Sequence, residues 1–160
     1  MSRSEFEIAK NLSDFGPITE DKVERFEHLI AEASDGLSIS MILPLLLTLD
    51  DKCEFDEVMF SVVHAVERYP AESYFAVLVE NISAIWNNSP RWCEILHTRI
   101  INSPSSFTHF INAFLLMDSN IKALETHILK KISGKEKFTD RCMTGIHSLA
   151  NKIPMQSAST

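Results

Sequence analysis

The clearest periodicity in the chain lies between Phe55 and Val66. Phe55, Val58, Met59, Val62, Val63 and Val66 recur at i, i+3, i+4, i+7, i+8 and i+11, which is one face of a helix and fits no strand period. Asp50 and Asp51 precede the segment, where carboxylates cap a helix and complement its dipole. Tyr69-Pro70 ends it, because the residue before proline is pushed out of the α region. Proline punctuates the chain beyond this point. Ser89-Pro90 and Ser103-Pro104 each read as a stop and a new start, with serine as N-cap and proline at the first helical position. Both prolines lie in the repeated context Asn-Ser-Pro, at Asn88 and Asn102. Gly36 and Gly134 mark further helix ends.

The pattern predicts helices over 4–14, 20–35, 38–49, 52–69, 71–86, 90–102, 105–117, 119–133 and 138–152, with Pro44 kinking or breaking the third. Taken in pairs, these make units of about 30–35 residues, the size of α-solenoid repeats. The expected fold is therefore all-α: eight or nine helices stacked as helical hairpins into a HEAT-like superhelix. Residues 1–153 read as a single helical domain, and 154–160 as a small, polar, disordered tail. On the helix at 52–69 a second stripe, Glu57, Phe60, His64 and Glu67, lies opposite the first. It marks either the middle layer of a stack or a binding patch.

Composition agrees with this pattern. Only four glycines and six prolines speak against a turn-rich β protein, and 45% hydrophobic residues with ten Phe suffice for a packed core. The N-terminus lacks the charged-then-apolar pattern of a signal peptide. The longest apolar stretch, Leu37 to Leu49, is interrupted by Ser38, Ser40, Pro44 and Thr48, so no membrane span is expected. Cys53, Cys93 and Cys142 are an odd number without CxxC spacing. They read as buried thiols in a reducing, cytoplasmic compartment.

Charge adds direction. The net charge is −7, but residues 1–80 hold 17 acids and 6 bases while residues 81–160 hold 5 acids and 9 bases. The acidic half disfavours nucleic acid and favours a basic partner. The densest cluster is Asp50, Asp51, Glu54, Asp56 and Glu57, offset locally only by Lys52. It is either a solvated helix start or a contact surface for a basic cleft, with carboxylates standing where phosphates would bind.

Catalytic chemistry finds little support. There is no GxGxxG, no GxxxxGK[ST], no HExxH, and no histidine beside a nucleophile motif. Glu94 and His97 form one ExxH spacing, but a carboxylate-bridged metal site needs two, and His64 to Glu67 runs in reverse. No cofactor or metal is expected. Arg99 shares a helical face with Trp92, Ile95 and Leu96. A guanidinium on an apolar stripe needs a carboxylate, and Glu67 on the preceding layer is the candidate. This pairing makes Arg99→Ala destabilising; the alternative is that Arg99 reaches a ligand.

The stretch from Leu45 to Ser103 resembles a known family. Leu46-Leu47-Thr48-Leu49-Asp50-Asp51, then Glu57 to His64 and on to Glu67, then Ser89-Pro90-Arg91-Trp92 and Leu96 to Ser103 carry the resemblance. It is to the helical immunity protein thirty family of bacterial polymorphic toxin and contact-dependent growth inhibition systems. The resemblance implies a non-enzymatic inhibitor that binds the C-terminal domain of a cognate toxin, a basic nuclease and most often an RNase, and occludes its active site. Asp50, Asp51, Glu54, Asp56 and Glu57 would then form the toxin-binding surface. Reversing Asp50, Asp51 and Asp56 should slow association. Trp92, on the face of Ile95 and Leu96, reads as core. Two other classes fit the same pattern: a helical-repeat adaptor unrelated to toxins, and a helical metalloenzyme built around Glu94 and His97.

Overall fold

The computed structural model describes residues 3–156. Within them the chain forms ten α-helices and four short 3-10 turns, with no strand. The helices are α1 (Glu5–Ser13), α2 (Val23–Ser34), α3 (Ile42–Leu46), α4 (Asp56–Glu67), α5 (Ala71–Glu80), α6 (Ile82–Asn88), α7 (Pro90–Ile101), α8 (Pro104–Phe114), α9 (Ser119–Ser133) and α10 (Thr139–Asn151). The fold is all-α, as the periodicity predicts.

Several boundaries differ from the sequence pattern, each for a local reason. The strongest stripe becomes α4, but the helix starts at Asp56 because residues 50–53 make a turn. In that turn the Asp50 carboxylate accepts from the Lys52 N–H at 2.9 Å, and the Asp50 carbonyl from the Cys53 N–H at 3.1 Å. The expected helix at 71–86 divides into α5 and α6. Asn81 sends both its backbone N–H and its side-chain amide to the Val77 carbonyl, at 3.2 and 2.8 Å, and leaves helical geometry at ψ 16°. The expected helix at 38–49 is a 3-10 turn at Ile39–Met41 followed by the short α3. Pro44 does not break it, because it falls in the first turn, where its missing N–H has no partner to lose.

Ser103 caps α8 through the Ser106 N–H at 3.4 Å. Ser89 does not cap α7; it is buried and donates its hydroxyl to the Leu49 carbonyl instead. Met155, in the segment expected to fray, exchanges two hydrogen bonds with the Asn112 side chain, at 2.7 and 3.1 Å. The remainder of that segment, 157–160, lies outside the described residues.

One hydrophobic core runs from Ile8 to Leu149. Helices pack mainly against partners close in the chain: α1 on α2, α2 on α4, α7 on α8, and α9 on α10, with α5 also meeting α8 and α9 covering α6 and α7. Trp92, Phe26, Phe107, Phe110 and Phe114 are fully buried. The Trp92 ring meets Phe60 edge-on at 5.0 Å. The second stripe of α4 is therefore divided: Phe60 packs inward while Glu57, His64 and Glu67 face solvent.

Candidate functional site

Packing splits the acidic junction into carboxylates with structural partners and carboxylates without. Asp51 accepts from the Arg91 N–H at 2.9 Å and the Trp92 N–H at 3.2 Å, which are free donors in the first turn of α7. It caps a helix 40 residues away in the chain. The cap comes from a distance because Ser89, next to Pro90, is turned toward Leu49. Asn88 fastens the same loop, donating to the carbonyls of Leu47 and Leu49 at 3.2 and 2.9 Å. Asp56 takes both arms of the Arg91 guanidinium, at 3.1 and 2.7 Å, and this hydrogen bonding holds its carboxyl below the ordinary value. Arg91 also stacks over Trp92 at 5.1 Å. Asp50 is half-buried and committed to its turn. Glu54 and Glu57 are exposed; neither is among the ion pairs of the described residues.

A second acidic segment adjoins the first. The turn at 17–20 lines a hollow of about 530 Å³ together with Asp50, Lys52, Glu54 and Phe55, so Glu20 and Glu54 border the same hollow. Farther along, the Ser61 hydroxyl lies 3.4 Å from the Glu27 carboxylate. Helices α2 and α4 pack side by side, with Glu24 one turn before Glu27 and Glu57 one turn before Ser61, both exposed. Glu20, Glu24, Glu27, Glu54 and Glu57 thus share one side of the molecule, without an ion pair among the described residues. Motif reading overlooked the α2 members. Their signal was the excess of acid in the first 80 residues, which gives no position.

Arg99 and Glu67 form a bidentate pair, with Nη2 at 2.8 Å from Oε2. The pair is not buried, contrary to the expectation from its helical face: its side chains are 38% and 34% exposed. It sits at the rim of a hollow of about 200 Å³ lined by Tyr74, Phe75 and Ser106. The buried pair is a different one, which sequence reasoning missed. His97 Nε2 lies 2.9 Å from Glu125 Oε2, and His97 Nδ1 lies 2.7 Å from the Cys93 carbonyl. Burial pulls the His97 imidazole down, but the Glu125 carboxylate and Cys93 outweigh it and raise it well above its ordinary value. Burial likewise raises the Glu125 carboxyl, against the pull of His97. Glu94, the other half of the ExxH spacing, pairs at the surface with Lys131 at 2.8 Å. Among the described residues no cluster of three or more His, Cys, Asp or Glu side chains is arranged to hold a metal. None of the helices described is long and apolar enough to cross a membrane.

In comparisons with known proteins, the family Immunity protein 30 matches residues 18–110. That span runs from the turn before α2 into α8 and contains the whole acidic side, the Asp51 cap and the Arg91–Asp56 pair. Neither a curated protein nor a solved structure matches the chain.

Proposed function

The chain belongs to the immunity protein 30 family, and on that premise we propose that it binds and neutralises a cognate toxin domain of a contact-dependent growth inhibition system in the cytoplasm. The partner we infer is a basic nuclease, an RNase, whose active site the protein covers without catalysis of its own. The observation that carries the nuclease reading is the acidic side formed by Glu20, Glu24, Glu27, Glu54 and Glu57, which make no ion pair among the described residues. A nuclease cleft is positively charged because its substrate is a polyanion. Carboxylates on an inhibitor compete for the same positions, and complementary charge accelerates encounter. Asp50 belongs to this surface through its place beside Glu54. Asp51 and Asp56 lie at its edge, with a structural task each.

That division changes which substitutions test the surface. Reversing Asp51 or Asp56 also removes a helix cap or an ion pair, so Glu54→Lys with Glu57→Lys is the cleaner variant. The deciding experiment is co-expression with the product of the adjacent reading frame, followed by titration of that product's nuclease activity. A one-to-one complex with activity abolished supports the reading. A complex that forms while RNA cleavage continues would refute inhibition by occlusion. Absence of any complex would remove the toxin partner altogether.

A further inference from the structure

The acidic side continues into an apolar groove. Helix α3 is apolar on all sides: Ile42, Leu45 and Leu46 are fully buried and Leu43 is half-buried, while Ile39 before it and Leu47 after it remain 56% and 43% exposed. Leu43 and Leu47, four residues apart, both line one hollow, and Ile39 lies exposed in the 3-10 turn before them. Across from them, α1 presents Ala9, Leu12 and Ser13, and Phe6, 77% exposed, lies beyond the hollow one turn before Ala9 on the same face of α1. The two helices are tied by the Ser40 hydroxyl donating to Glu5 at 2.6 Å. Between them lies a hollow of about 270 Å³ lined by Ala9, Leu12, Leu43, Pro44 and Leu47. A helix left apolar on its outer face has surface to cover.

The hollow does not end at Leu47. Leu12, Ser13, Leu47 and Thr48 also line a second hollow of about 430 Å³ that reaches Asp50 and Lys52. Pro17, Ile18, Asp50 and Lys52 are shared in turn with the hollow that ends at Glu20 and Glu54. One groove therefore passes from an apolar end to an acidic end, with Leu47 at the junction. An apolar centre beside a charged rim is the anatomy of a protein interface, in which a few anchors carry most of the affinity.

We infer that this groove is the docking surface for the toxin domain, an inference that rests on the immunity reading. The partner segment it fits carries an apolar side chain, seated between α1 and α3, next to lysines or arginines that meet Asp50, Glu54 and Glu20. A second copy of this chain is a poor occupant. Docked groove to groove, each copy offers Lys52 alone against the carboxylates of the acidic end, so the two would oppose like charges there.

The two ends of the groove should fail differently. With the toxin domain as probe, Leu47→Asp should weaken binding about tenfold or more, mainly by faster dissociation. Glu54→Lys should slow association, and the loss should shrink as salt is raised. Phe6→Ser, at an exposed position that keeps the fold, provides a second test of the apolar end. Leu116→Asp, 93% exposed on the turn between α8 and α9, is the control expected to bind as the parent protein does. If the parent protein binds toxin and both Leu47→Asp and Phe6→Ser bind equally well, the groove is wrong and immunity stands. If the parent protein does not bind, the immunity reading has failed and takes the groove with it. If Leu47→Asp converts a dimer of the free protein to monomer while toxin binding is unchanged, the occupant is a second copy and the inference is overturned.

Discussion

Glu125 of α9 meets His97 of α7 at 2.9 Å, and neither side chain reaches solvent. The Cys93 carbonyl, 2.7 Å from His97 Nδ1, can only accept, so Nδ1 carries a hydrogen. The contact between Nε2 and Oε2 needs a second hydrogen. Whether that proton rests on the imidazole or on the carboxyl, the pair is neutral overall, which is how two ionisable groups tolerate full burial. The other Glu125 oxygen has no hydrogen-bond partner among the described residues.

This geometry separates two substitutions at one position. Glu125→Gln lets the amide donate to a neutral His97 Nε2 while Nδ1–H keeps the Cys93 carbonyl. It should change stability by no more than about 1 kcal/mol. Glu125→Ala leaves the imidazole buried without a partner and opens a cavity beside it, and should cost about 3–5 kcal/mol. Urea denaturation of both variants measures the difference. Equal losses would mean that the hydrogen bond contributes nothing beyond volume.

The same proton gives stability a pH dependence. His97 in the folded state titrates well above the ordinary histidine value of 6.5. Above that value the unfolded chain releases a proton that the folded chain keeps. The pair's contribution is therefore complete below about pH 6.5 and falls as pH rises toward the folded value, by at most about 1.4 kcal/mol per pH unit. Urea midpoints at pH 6.5, 7.5 and 8.5 should decline for the parent protein and stay flatter for Glu125→Gln. A parallel decline in both would assign the effect to other groups.

Arg99 shows how burial decides the outcome of a similar pairing. On its helical face it reads as a guanidinium trapped on an apolar stripe, whose removal would unfold the protein. At 38% exposure, with Glu67 at 34%, both ends are screened by water. Arg99→Ala should cost about 0–1 kcal/mol, because Glu67 is rehydrated. A loss of several kcal/mol in thermal or urea unfolding would restore the buried reading.

The range of each interaction decides whether the sequence reveals it or hides it. Helix α4 was legible because its stripe from Phe55 to Val66 is local and unbroken. The break at Asn81 was not, because it depends on a side-chain amide winning a carbonyl that the helix also uses. Glu67 could be chosen as a partner for Arg99 from helical faces, but the depth of the pair depends on how the layers are offset. His97 and Glu125 are 28 residues apart and meet only when α7 docks on α9. Local spacing drew attention to Glu94, which pairs with Lys131 instead. The acidic side was legible as a charge imbalance. Its members before and within α2 acquire positions only through the hollow that Glu20 shares with Glu54 and the contact of Glu27 with Ser61.

Asp51 tests the boundary between surface and scaffold. Its two oxygens occupy the Arg91 and Trp92 N–H groups, so Asp51→Ala frees two donors at the start of α7 and withdraws a negative charge from that helix N-terminus. The loop itself should hold its path, because Ser89 and Asn88 still bind the Leu47 and Leu49 carbonyls. The expected cost is about 1–2 kcal/mol for Asp51→Ala, read as a lower melting temperature, with Asp51→Asn in between because the amide keeps one acceptor. Toxin affinity of the folded fraction should be little changed. The reverse result, an unaltered melting temperature with slower association, would place Asp51 in the interface beside Asp50 and Glu54 and remove it from the scaffold.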